Sequence, residues 1–402
     1  MTPSPSSLRR ARHALYAWQL RLSPDETTFM MVLAAAIGVL GGAGAILFRW
    51  LVDAGQGLVL GHGEDTVTLL AGVPWWHTML LPVAGALIVG PLVHYLAREA
   101  RGHGVPEVIG ALVFRGGVIR PIVAAVKIIA SAVTIACGGS VGREGPIVQI
   151  GASLASSLGQ VFGFSPQRLR TMIGCGAAAG IAATFNAPIA GAFFALEILL
   201  RDFAVVTFAP IIVSSVVATA VSRHFLGDTP AFPVPGFEMH TPAELPLYLV
   251  LGLIVGLVSL LYVRSLYFAE EQMERIPFPA PLKPLLGALP LGLLFLWFPQ
   301  VYGVGYGAMV EALEGNLDLS LMALLIVAKL VAVCLTLGAG YSGGIFAPAL
   351  FLGGMTGGAC GALFNLFWPG TAVSVGAFAM VGMAAMVGAA TGGPLTAILI
   401  LF

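Results

Sequence analysis

The chain has 402 residues, of which 58% are hydrophobic and only 9% charged, against roughly 25% charged in a soluble domain. Nineteen basic and nineteen acidic side chains cancel, so no net field recruits nucleic acid or an acidic partner. From Leu330 to Phe402 there is no Asp, Glu, Lys or Arg, which excludes a water-soluble enzyme, a disordered chain and a protein with a single membrane anchor. What remains is an all-α polytopic membrane protein, since a spanning helix needs about 20 apolar residues.

In chain order, the first 26 residues form a polar, basic segment with Arg9, Arg10, Arg12 and Arg21. No short apolar core with a small-residue cleavage site follows, so it does not read as a secretory signal. The positive-inside rule puts this end in the cytoplasm. Apolar segments then predict spans near 28–53, 74–97, 121–137, 146–163, 169–184, 187–200, 203–222, 245–268, 284–298, 320–338, 346–367 and 373–390. Several are short and interrupted by Gly and Pro, the pattern of helices that stop partway through the bilayer. Irregular backbone at that depth survives only inside protein or along a water-filled path, so the breaks are where function is expected. The four cysteines have no metal-ligand spacing and read as small buried hydrophobes; no metal and no cofactor are expected.

A proline-rich loop near 223–246 divides the chain, and the two sides resemble each other. A shift of 202 superposes Lys127 on Lys329, Thr134 on Thr336, Gly138 on Gly340, Ser140 on Ser342, Gly142 on Gly344, Pro146 on Pro348 and Gly151 on Gly353. A shift of 201 aligns GHGVPEVIGAL, from Gly102, with GVGYGAMVEAL, from Gly303. Transporters are commonly built from such repeats, with the site at their interface. The expected division is a cytoplasmic segment 1–26, a first repeat 27–222, a loop 223–246 and a second repeat 247–402.

The chemistry is expected in GGSVGREGP, 138–146. Its glycines let the backbone leave a helix, and Pro146 suits the first turn of the next. Gly142, Arg143, Glu144 and Gly145 would then form a loop ending at a helix N-terminus. GGIFAP at 343–348 and GHGVPE at 102–107 repeat the arrangement. Helix N-termini offer unpaired N–H groups and a partial positive charge, a ready anion site. A bare ion in hydrocarbon costs tens of kcal/mol, whereas one helix end returns at most about 2 kcal/mol through its dipole. Two or three converging ends and several N–H donors are therefore needed. Glu144, a carboxylate at membrane depth, is the sharpest candidate. Deprotonated, it competes with an anion for the same donors; protonated, it leaves. A nearby anion in turn favours its protonated form, which would make Glu144 both gate and proton carrier.

GREGP at 142–146, GHGVPE, GGIFAP and GAAAGIAATFNAPIAGAFFALE at 176–197 resemble, in order, the signature segments of the CLC chloride channel and transporter family. The resemblance implies two inverted-topology repeats of tilted and broken helices, a homodimer in membrane lipid with an anion path in each subunit, and chloride and protons as the transported species. It implies the glutamate gate at Glu144. It implies anion-binding positions at His103, Gly104, Val105, Arg143, Glu144, Gly145, Gly344, Ile345, Phe346 and Ala347, and a supporting buried lysine at Lys127. The bacterial type implies the inner membrane, and the family gives chloride/proton antiport as the leading function.

Three departures bear on this expectation. His103 stands where the family has a chloride-binding serine, which opens selectivity to nitrate or fluoride. Ile198 stands where many proton-coupled members carry a second glutamate after Glu197, which favours a passive channel. The family also continues beyond the segment TGGPLTAIL through further helices, so the second repeat is expected to be incomplete at Phe402. A distant alternative is an intramembrane serine hydrolase, from GYSG at 340–343 and GGSVG at 138–142, with His103 as the available base.

Overall fold

In the computed structural model, residues 26–61, 63, 66–228, 244–368 and 373–402 are described; the basic segment and most of the proline-rich loop lie outside them. Among the described residues there are sixteen α-helices and no strand. They are α1 (Glu26–Leu60), α2 (Thr66–Gly72), α3 (Trp75–Leu96), α4 (Val105–Phe114), α5 (Ile122–Ala136), α6 (Glu144–Phe162), α7 (Pro166–Phe185) and α8 (Pro188–Phe193). Next come α9 (Val205–Leu226), α10 (Leu245–Arg275), α11 (Pro284–Trp297), α12 (Tyr306–Glu314), α13 (Leu319–Ala339), α14 (Phe346–Phe367), α15 (Val375–Thr391) and α16 (Pro394–Leu401). All twelve expected spans fall on helices; the short α2, α4, α12 and α16 are additional. Seven described helical stretches are long and apolar enough to cross a bilayer, and the protein is a membrane protein.

Two compact units are formed, and they do not follow the boundary between the sequence halves. The first takes Met1–Leu47, Val105–Ala125 and Ile147–Thr229. Its helices meet through glycines because apolar helices in lipid associate by close packing. Gly151 of α6 and Gly176 of α7 face one another so closely that a Cβ on either would strike the other's carbonyl oxygen. Gly38 of α1 lies against the Ser214 carbonyl of α9, and Gly41 against Ala179 of α7. Ser214 and Ser222 of α9 donate to the Cys175 and Ala183 carbonyls of α7, at 3.0 and 2.8 Å. Ser165 caps α7, with Pro166 at its first position, and Asn186 closes it in the left-handed conformation, φ 59°. After α8 the chain widens into a π-helical turn, Phe194–Leu200. Wide turns of this kind are often found at functional sites. This turn carries Glu197, half-buried, and Ile198, buried.

The second unit takes Phe48–Gly104, Val126–Pro146 and Pro230–Phe402. Here Gly353 of α14 and Gly382 of α15 approach each other's carbonyls, as do Gly287 of α11 and the Leu335 carbonyl of α13. Pro82 and Pro91 lie inside α3; the Pro82 carbonyl accepts a hydrogen bond from the Tyr341 hydroxyl at 2.6 Å.

The Gly151–Gly176 contact leaves no room for a side chain. Gly176→Val should destabilise the first unit by about 1–3 kcal/mol, read as earlier loss of the monodisperse peak on heating in detergent. Gly110→Ala, where a Cβ would meet nothing within 4 Å, should hold its stability or gain about 0.5–1 kcal/mol.

Candidate functional site

The site in the second unit is built by two chain segments that repeat each other's hydrogen bonds 202 residues apart. After α5, Gly138 takes φ 93°, and after α13, Gly340 takes φ 101°. Both are values that glycine adopts freely. Gly138 N donates to the Ile135 carbonyl and Gly340 N to Leu337; Gly139 N donates to Thr134 and Tyr341 N to Thr336. The two segments then meet. Gly142 N donates to the Gly344 carbonyl at 2.8 Å, and Gly344 N donates to the Gly142 carbonyl at 2.7 Å. Two residues further on, each segment starts a helix, α6 at Glu144 and α14 at Phe346. Both helix starts precede the prolines expected to mark them, because a proline in the third position still lies in the first turn, where no intrahelical N–H bond is lost.

Two buried lysines brace this arrangement. Lys127 Nζ on α5 donates to the Ala100 and Gly102 carbonyls at 3.1 and 2.7 Å. Lys329 Nζ on α13 donates to Gly303 and Val304, both at 3.0 Å, and lies 4.9 Å from the centre of the Phe351 ring. The serines cross between the repeats. Ser342 Oγ donates to the Ala100 carbonyl at 2.7 Å, and Ser140 Oγ to the Val301 carbonyl at 2.8 Å. Ser342 also meets Ser131 Oγ at 2.9 Å. Its proton goes to a backbone carbonyl and not to His103, so the hydrolase reading lacks its nucleophile–base pair.

Glu144 is only 1% exposed. Its Oε1 accepts a hydrogen bond from the Tyr306 hydroxyl at 3.0 Å. Oε2 lies over Gly142, where a Cβ would collide with it and stand 3.0 Å from the Ala347 amide nitrogen. The amides of Glu144 and Ala347 face the carboxylate, so the side chain sits between the starts of α6 and α14. Arg143 places its guanidinium 5.0 Å from the centre of the Tyr306 ring, and the charges of Glu144 and Asp53 act on it. From α10, the Tyr262 hydroxyl donates to the Ile345 carbonyl at 3.0 Å. The His103 carbonyl lies against Gly145, which has no space for a side chain.

The structure thus brings Arg143, Glu144 and Gly145 together with Ile345, Phe346 and Ala347, and places His103 and Gly104 in the same unit. Gly344 departs from expectation: its amide is spent on the Gly142 carbonyl, so it shapes the loop instead of presenting a donor. Val105 opens α4, and Ile198 lies in the π-helical turn, both in the first unit. Tyr306 and Lys329 were not among the expected site residues. The signal for each was present in the repeat, since Tyr306 occupies the position matching Val105 and Lys329 the position matching Lys127.

Replacing Lys329 by Met leaves buried carbonyls at Gly303 and Val304 without their donor. The expected cost is about 1–3 kcal/mol per unsatisfied group, measured as a lower melting temperature in detergent; Lys329→Arg should recover part of it.

The sequence profile of the family described as voltage gated chloride channel matches residues 85–402. A ClcB-like protein of Ralstonia nicotianae is 34% identical over 377 residues, covering 93% of this chain and 88% of that protein. An H(+)/Cl(-) exchange transporter ClcA of Cronobacter sakazakii is 33% identical over 408 residues, covering 98% of this chain and 85% of that protein. Among solved structures, a slow cyanobacterial Cl−/H+ antiporter superposes with a TM-score of 0.80 at 24% identity, covering 92% of this chain and 88% of its own. With the profile spanning most of its length and relatives of this similarity, the chain belongs to the CLC family of chloride channels and transporters.

Proposed function

We propose that the protein exchanges chloride for protons across a membrane, with Glu144 as the gate. The observation that carries this reading is the position of the Glu144 carboxylate, buried where the starts of α6 and α14 present their amides. An ionised carboxylate there holds donors that a small anion needs. Protonation removes its charge and with it the attraction to the amides that face it, and the anion takes its place. Arg143, Gly145, Ile345, Phe346 and Ala347 supply the surroundings of the anion, with His103 and Gly104 on the neighbouring loop. Lys127 fixes that loop through its carbonyls. The relatives named above as exchange transporter and antiporter support the same activity. In this reading the repeats are 27–222 and 247–402, the protein is a homodimer in the inner membrane, and its N-terminus is cytoplasmic.

Ile198, apolar and buried, favours a second reading, passive chloride conduction, because it has no group that accepts a proton. Reconstitution in liposomes separates the two. A chloride gradient should drive protons uphill in the antiporter and leave pH unchanged in a channel. Nitrate and fluoride as competitors then define the selectivity at His103.

The gate has a signed pH dependence. The ionised carboxylate blocks and the protonated one admits, so anion flux should rise as pH falls. Glu144→Gln mimics the protonated state; its anion flux should persist, its proton coupling should vanish, and its pH response should flatten. Proton coupling retained in this variant would refute the gate assignment.

A further inference from the structure

We propose that the Tyr306 hydroxyl is a latch that holds the ionised Glu144 carboxylate in the amide cradle and thereby sets the pH at which an anion displaces it. The inference rests on the reading of Glu144 as the gate and adds the residue that tunes it.

The geometry makes the phenol specific to the ionised form. Tyr306 is the first residue of α12 and donates to Glu144 Oε1 at 3.0 Å. A hydrogen bond to a carboxylate is charge-assisted and roughly twice as strong as one to a neutral carboxyl group. The bond therefore stabilises the blocking state more than the protonated state. The second oxygen, Oε2, is buried without a hydrogen-bond partner, which leaves the phenol as the side-chain hold on the gate.

The phenol is also held in place. Gly305, at φ 86°, turns the chain into α12, with the Phe351 ring 2.9 Å from where a Cβ would stand. Lys329 Nζ fixes the two preceding carbonyls, Gly303 and Val304. The Arg143 guanidinium over the phenol ring places a positive charge beside the hydroxyl, which favours donation of its proton. The charged and polar groups facing Glu144 are therefore Arg143 from its own loop, Tyr306 from α12 and the Ala347 amide from α14. Asp53 of α1 acts on Arg143.

Tyr306→Phe keeps the ring under Arg143 and deletes the hydroxyl, which donates to Glu144 and also meets Arg143. In proteoliposomes, the midpoint of acid-activated chloride flux should move to higher pH by about one unit, and the chloride concentration for half-maximal flux should fall. The double variant Tyr306→Phe/Glu144→Gln should match Glu144→Gln alone. A purely space-filling tyrosine would change amount and stability but leave the midpoint where it was. An unchanged midpoint in Tyr306→Phe overturns the latch, as does an equal effect of Tyr306→Phe in the Glu144→Gln background. A Glu144→Gln protein whose flux still responds to acid refutes the gate itself, and that result is visible with Tyr306 intact. If Tyr306→Phe proves too unstable for flux assays, an infrared titration of the Glu144 carboxyl band reads the same shift in lipid, with Glu144→Gln as the subtracted reference; no shift overturns the proposal.

Discussion

The reciprocal backbone pair between Gly142 and Gly344 is the constraint on which the site depends. Each residue gives its N–H and its carbonyl to the other, so neither leaves a buried backbone group unpaired at a depth where water does not reach. The pairing is antiparallel, and each chain turns into a helix two residues later. The starts of α6 and α14 are thereby brought to one place. One helix end offers at most about 2 kcal/mol of dipole stabilisation, far below the cost of burying an ion. A pair of helix starts adds two sets of unpaired N–H groups to two dipoles, and a carboxylate or a small anion can then be held. A side chain at Gly142 would occupy the space of the Glu144 carboxylate, and one at Gly344 would press on the Gly145 amide. Glycine at both positions is therefore a geometric requirement of the pair.

The paired lysines and serines follow from the same constraint. Bringing two loops together buries carbonyls at Ala100, Val301 and Gly303, whose negative ends would repel an anion if left unpaired. Lys127 and Lys329 each take the carbonyls of the loop before a short helix, while Ser342 and Ser140 each reach across to the other repeat. The lysines thus satisfy backbone acceptors in equivalent loops of the two repeats. This accounts for the recurrence of both residue types at a spacing of 202, and it explains the serine patterns that resemble a hydrolase motif.

Much of this was legible in the sequence. Long apolar runs locate the spans because a bilayer demands length and hydrophobicity together. Gly–Pro breaks locate the helix starts, because glycine leaves a helix and proline tolerates only its first turn. The repeat match pairs Lys127 with Lys329 and GREGP with the GGIFAP loop, and Glu144 stands out as a carboxylate in an apolar stretch. What escaped detection has a physical reason in each case. Tyr306 lies between glycines in a segment with little polarity, and its hydroxyl acquires meaning only once α12 points it at Glu144. The Gly344 amide looks like an anion donor in sequence, and only the backbone register shows that it is already engaged. The second compact unit takes segments of both halves, because contact follows spatial proximity and ignores chain order.

The packing also says where motion can occur. Gly353 and Gly382 meet carbonyl to backbone within the second unit, as Gly151 and Gly176 do within the first. Interiors packed this closely resist continuous deformation, so sliding α14 along α15 would cost contacts along the whole crossing. The Glu144 side chain is not bound in this way. Glu144 is held by one phenol hydrogen bond and faces amides that an anion can use equally well. If Glu144 is the gate we propose, exchange of the two occupants needs only rotation of one carboxyl group, while the glycine-packed frame keeps the donors in position. A frame that yielded would let the donors follow the departing carboxyl group, and the site offered to the anion would be lost.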